Sequence, residues 1–217
     1  MEIISTLRTT AAVRAFADEP VSDATVHQLL DDARFAPSGG NRQPWRVAVV
    51  EDVAIRRRLA ELMQPVWDSY IARGALGVTP YNAVDDRQPG AVEHTPNPLL
   101  DHIDAVPVVL AIAADLRNIA LMDGILDRPP LTGGASIYPF CWSILLSARG
   151  RRLGGVMTTF LSRVEPAAAP ELGLPEHHAL AATIFLGVPE RQVTKLRREP
   201  VETFATRDRF DGPPFTA

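Results

Sequence analysis

Helical and extended patterns alternate along this sequence and predict a globular fold of mixed α and β structure. Three observations carry that reading. Apolar residues recur at helical spacing from Ser22 to Arg34 and again from Asp52 to Met63. Short apolar runs at Trp45 to Val50, Pro107 to Ala114 and Ala179 to Leu186 read as strands. The segment from Gly133 to Arg149 is apolar nearly all round, which predicts a central helix.

The elements follow in chain order. Ser22 and Asp23 are cap-type residues, and Val26, Leu29, Leu30 and Ala33 then fall on one helical face that ends by Pro37. After the strand from Trp45, the helix from Asp52 places Ile55, Leu59 and Leu62 together. Leu153 to Phe160 reads as a strand led by glycines. Residues 73 to 105 hold Gly, Pro, Asn and Asp with weak periodicity; a stretch that long without regular structure predicts a lid or arm. The last stretch, 191 to 217, spaces Phe204, Phe210 and Phe215 along a polar tail. Two readings stand side by side: the tail wraps a partner subunit, or it packs on its own domain.

With 217 residues the chain reads as a single domain able to bury roughly 70% of its unfolded surface. Apolar residues make up 46% and charged residues 22%, a globular composition. The net charge of -4 argues against nucleic acid or an anionic membrane as partner. One cysteine, Cys141, excludes an intrachain disulfide framework and a cysteine-based zinc site. No apolar run reaches the roughly 18 residues of a membrane span. The opening MEIIS carries no signal-peptide pattern, so a soluble cytoplasmic protein is expected.

Three polar clusters could carry chemistry. Arg8 and Arg14 flank Thr9 and Thr10; guanidinium forks and hydroxyls suit a phosphate, and a solvated helix face would look the same. In APSGGNRQPWR, Gly39 and Gly40 permit close backbone approach, while Ser38, Asn41 and Gln43 offer uncharged hydrogen bonds. That set suits a neutral heteroaromatic edge better than a metal, and a glycine helix stop explains only one of its residues. Lys195, Arg197 and Arg198 form a basic run, a solvated patch unless folding pairs it with Arg8 or Arg14. The five histidines show no metal-ligand spacing, and no nucleophile elbow, phosphate loop or dinucleotide fingerprint is present. No metal is expected. Cys141 on its apolar helix reads as core.

These residues resemble the nitroreductase family of FMN-dependent oxidoreductases. The likeness runs through Val13 to Phe16 with Pro20 and Val21, then Ala33 to Trp45, the small-residue helix from Gly133, Leu153 to Val156, and the basic run before Pro200, Val201 and Glu202. The P-S-G-G-N-x-Q-P-W match is the most specific. The resemblance implies an α+β, nitroreductase-like fold: a mainly antiparallel sheet flanked by helices in an intertwined homodimer, with FMN at the subunit interface. The helix from Gly133 would be dimer core.

Under that resemblance, Arg8, Thr10 and Arg14 meet the FMN phosphate and ribityl chain, joined by Lys195, Arg197 or Arg198. Ser38, Gly39, Gly40, Asn41 and Gln43 line the flavin. Thr158 and Thr159 face the isoalloxazine and its N5, and Gly154 and Gly155 hold that strand close. Where the family places two basic residues and a Ser, this chain has Thr10, Ala11 and Ala12. The implied activity is ping-pong transfer of hydride from NADH or NADPH through FMN to a nitroaromatic, a quinone or a similar acceptor. No side chain acts as acid or base, since FMN N5 carries the chemistry. Residues 64 to 105 and the partner's side of the cleft set the acceptor range; Tyr70, Tyr81 and Phe140 are candidate walls. The alternatives are a flavin storage or sensor protein with little turnover, and a flavin-degrading or dehalogenating member of the same fold.

Overall fold

The computed structural model describes residues 2–216. Its centre is an antiparallel sheet of four strands: β1 (Trp45–Val49), β2 (Val108–Asp115), β3 (Gly154–Thr158) and β4 (His178–Gly187), in the order β1-β2-β4-β3. The order puts β2 and β4 inside, and every residue of β2 is buried. Their near-continuous apolar sequence reflects burial on both faces. Leu110, Ile112, Ile184 and Leu186 face one layer, whereas Val109, Ala111, Ala113 and Phe185 face the other. This is the period-two alternation of a strand.

Seven α-helices flank the sheet among the described residues. One layer holds α2 (Asp23–Ala33) and α5 (Tyr138–Gly150), and the other holds α3 (Val53–Gly74), α6 (Phe160–Arg163) and α7 (Glu165–Leu172). Ser22 caps α2 by accepting from the Thr25 N–H, and Asp52 caps α3 through Ile55 N–H at 2.9 Å. Arg56, in the first turn of α3, is buried and donates to the Val50 and Val106 carbonyls, both at 2.7 Å. It ties the helix to the ends of β1 and β2. The other helices are α1 (Ile3–Thr9) and α4 (Pro98–Asp101).

Three segments differ from the sequence expectation. The helix from Asp52 does not stop at Met63 but runs through Pro65 to Gly74. Buried Val66 and the stacking of Trp67 and Tyr70 around Phe160 hold the extra turns despite the proline. The helix expected from Gly133 breaks: a 3-10 stretch at Thr132–Ser136 precedes α5. Pro139 lacks an N–H and fits only the first turn of a helix, which fixes where α5 begins. The presumed lid or arm also divides. Its irregular part begins after Gly74, whereas Leu99, Leu100 and Ile103 near its end are core.

Cys141 is wholly buried in α5, and burial pushes its thiol up to about 12, an inert core residue. Asp123 anchors the loop before α5. It accepts from the Leu131 and Thr132 backbone, the Thr132 hydroxyl and Arg128, and these bonds hold its carboxyl well below the usual range. The same loop leaves Met122, Ile125 and Leu131 exposed. The tail folds onto itself rather than onto the body: Thr206 bridges Pro214, and Arg207 covers the Phe215 ring. Phe204 stays 72% exposed and Phe210 is fully exposed, so these two rings are not packed on their own domain. No described helix is long and apolar enough to cross a membrane.

Candidate functional site

The chain leaves α2 into the loop that carries the P-S-G-G-N motif. Gly40, Asn41 and Gln43 all hold left-handed backbone, with φ of 60°, 52° and 48°. Glycine and asparagine tolerate that region best. The Ser38 hydroxyl accepts from the Gln43 N–H at 3.0 Å and closes the loop, while the Gln43 amide donates to Asn41 Oδ1 at 3.2 Å. Gly39 N–H donates to Ser136 Oγ at 3.0 Å, and Trp45 stacks on Phe140 with centroids 4.6 Å apart. The loop is thereby fixed at its base while Gly39, Gly40, Asn41 and Gln43 face outward. Phe140, a candidate wall, is core packing instead.

On the other face of the sheet lies a cavity of about 280 Å³ lined by Arg14, Trp67, Tyr70, Asn97, Leu99, Met157, Thr158, Thr159 and Phe160. The N-terminal segment reaches it because Val13 N–H donates to the Gly155 carbonyl at 2.9 Å, docking residues 12 and 13 beside β3. Arg14 therefore lines the same cavity as Thr158 and Thr159. Gly154 and Gly155 do not line the cavity. A Cβ at Gly154 would meet Val13, and one at Gly155 would run into Leu186 and the Phe185 carbonyl. Neither position has room for a side chain.

The cavity adjoins a larger one of about 710 Å³, lined by Val66, Tyr70, Pro80, Tyr81, Thr159, Phe160, Ser162 and Arg163. Tyr70, Thr159 and Phe160 belong to both. Among the described residues, six buried side-chain polar atoms have no hydrogen-bond partner, and three of them sit here: Trp67 Nε1, Thr158 Oγ1 and Ser162 Oγ. Such groups cost roughly 1–3 kcal/mol each when left unpaired. All three atoms are shielded from solvent, so they lie behind the cavity walls rather than facing the open space.

The remaining site candidates are dispersed. Arg8 is exposed on α1, and the buried Thr10 donates its hydroxyl to the Thr6 carbonyl at 2.7 Å. Lys195, Arg197 and Arg198 are exposed on irregular backbone. That segment starts beside α1, where Gln192 reaches the Thr9 carbonyl at 3.4 Å and Arg149 donates to the Thr9 hydroxyl at 3.1 Å. No residue from Ser38 to Gln43 lines either cavity. Sequence reasoning missed Ser162 and Arg163, and it covered Trp67 and Asn97 only as part of the stretch 64 to 105. Only Asn97 carried a local signal, as a cap residue before Pro98; its Oδ1 accepts from Leu99 N–H at 3.2 Å. No cluster of three or more potential metal ligands occurs among the described residues.

The sequence profile of the nitroreductase family matches residues 7–188. The chain belongs to the nitroreductase family. A nitrobenzene nitroreductase of Ectopseudomonas oleovorans is 27% identical over 91% of this chain and 94% of its own length. A 5,6-dimethylbenzimidazole synthase of Rhodobacter capsulatus is 32% identical over 85% and 82%. The NADPH:FMN oxidoreductase of Vibrio harveyi, solved in complex with NAD+, superposes with a TM-score of 0.70 at 18% identity, over 96% of this chain and 78% of that one. That structural likeness shows the shared fold. Members of this family bind FMN and use NAD(P)H, and this chain is a nitroreductase-family oxidoreductase.

Proposed function

We propose that this protein uses FMN to pass hydride from NADH or NADPH to a nitroaromatic, a quinone or a similar small acceptor in a ping-pong cycle. The observation that carries the reading is the pair of adjoining cavities, which share Tyr70, Thr159 and Phe160 as walls. The residues fit a flavin. Arg14, Asn97 and Thr158 supply a cation, an amide and a hydroxyl beside Met157 and Leu99, a mixture suited to a ring with a polar edge. FMN, when bound, supplies the hydride chemistry. The chain's residues position and tune it. Arg14 would supply positive charge beside the bound ring and help to retain it. Trp67 and Phe160 keep water from that end. Tyr70, Tyr81 and Phe160 shape the adjoining slot, which a nicotinamide and then an acceptor occupy in turn.

The outward loop from Ser38 to Gln43 fits the same ligand only from a second chain. The loop packs toward α2 and α5, whereas the cavity opens among α3, β3 and α6. A homodimer in which each loop completes the partner's cavity reconciles the two. The exposed Ile3, Ile4 and Leu7 of α1 and the unpacked rings of Phe204 and Phe210 suit such an interface. Arg8, Thr10, Lys195, Arg197 and Arg198 then form the phosphate end. Light scattering with absorbance detection tests this. A dimer holding about one flavin per chain is expected on dilution; a compact monomer that keeps its flavin would refute the composite site.

A second reading has one observation behind it, the 32% identity to a 5,6-dimethylbenzimidazole synthase. It requires the bound flavin to be consumed. Flavin that is recovered intact after many cycles excludes it.

A further inference from the structure

The larger cavity holds one positive charge and no negative one. Arg163, on α6, is the only charged residue among its lining. Among the described residues Arg163 has no carboxylate partner; its guanidinium lies over the Tyr81 ring at 4.0 Å. Arg73 covers the same ring at 4.3 Å, but it is buried and neutralised by Asp86. The two guanidiniums thus differ: Arg73 fixes the loop that carries Tyr81, while Arg163 is left exposed. Tyr70, Tyr81 and Phe160 supply flat walls.

A guanidinium without a carboxylate partner and aromatic walls together select a planar ring with an anionic substituent. Resting on the oxidoreductase reading, we infer that the acceptor is an aromatic compound carrying a carboxylate or comparable anion, and that Arg163 determines that preference. Arg163 takes no part in hydride transfer; it is a specificity residue that pairs with the anion while the reducible group lies toward Thr159.

The test compares 4-nitrobenzoate with nitrobenzene on the flavin-loaded full chain. Calorimetry on the oxidised protein without NAD(P)H gives binding; steady-state reduction gives kcat and KM. Wild-type protein should bind 4-nitrobenzoate about tenfold or more tighter than nitrobenzene, as a charge-assisted hydrogen bond predicts. Arg163→Gln should erase that ratio through 4-nitrobenzoate alone, raising its KM while leaving kcat near wild type. Arg163→Lys should recover part of it. Added salt should weaken wild-type binding of 4-nitrobenzoate and leave nitrobenzene unchanged, a readout that needs no variant. Equal affinity for both compounds in wild-type protein, an unchanged ratio in Arg163→Gln, or equal loss of both ligands would overturn the assignment. The last result would make Arg163 a prop for the Tyr81 loop only. Preferential binding of 4-nitrobenzoate without any reduction would uphold the site and refute the catalytic reading.

Discussion

Arg14→Ala is expected to release bound flavin about 10- to 100-fold more readily, the range that loss of a charge-assisted hydrogen bond allows. Arg14 is the one charged residue in the cavity it shares with Asn97 and Thr158. No other charge there can replace it. The protein that stays loaded should turn over nearer to the wild-type rate, because the neighbouring groups still orient the ring. Arg14→Lys should restore most of the retention, since it keeps the charge and loses only the fork. Dialysis followed by flavin fluorescence reads the effect. An Arg14→Ala protein that keeps its full complement of flavin would show that this guanidinium does not hold the cofactor.

Gly155→Ala is expected to destabilise the fold by about 3 kcal/mol, the upper range for overpacking a core. The added methyl would meet the Leu186 side chain and the Phe185 carbonyl, with Leu145 behind them. Two of these obstacles lie on β4, a central strand that cannot retreat without disturbing β2. The same shift would push residues 12 and 13 away from β3, carrying Arg14 out of its cavity. Stability and flavin content should therefore fall together. Gly150→Ala is the control: nothing lies within 4 Å of its added methyl, and alanine favours the helix end. Urea titration compares the two, and equal midpoints would contradict the packing account.

Local patterns made much of this fold legible. β1, β2 and β4 show as apolar runs, and α2 announces its cap at Ser22, because burial and capping leave marks within a few residues. The loop from Ser38 to Gln43 was readable for the same reason: left-handed backbone demands particular residues at particular places. Pro65 misled because its local cost was outweighed by contacts with Phe160, nearly a hundred residues away in sequence. Ser162 and Arg163 were invisible as site residues on similar grounds, and Trp67 was covered only by the broad stretch 64 to 105. Each is an ordinary helix residue until folding brings α3 and α6 together around one cavity. The aromatic tail was recognisable as unusual, and the structure adds that two of its rings find no cover on this chain.

The most direct test is an anaerobic visible spectrum of the purified protein before and after NADH, then NADPH, followed by a nitroaromatic or quinone. The account predicts a yellow flavin band that one of the donors bleaches and the acceptor restores. A band that persists through both donors would contradict the oxidoreductase reading and favour storage or sensing of flavin. A colourless protein that takes up no added FMN would contradict the cofactor assignment itself.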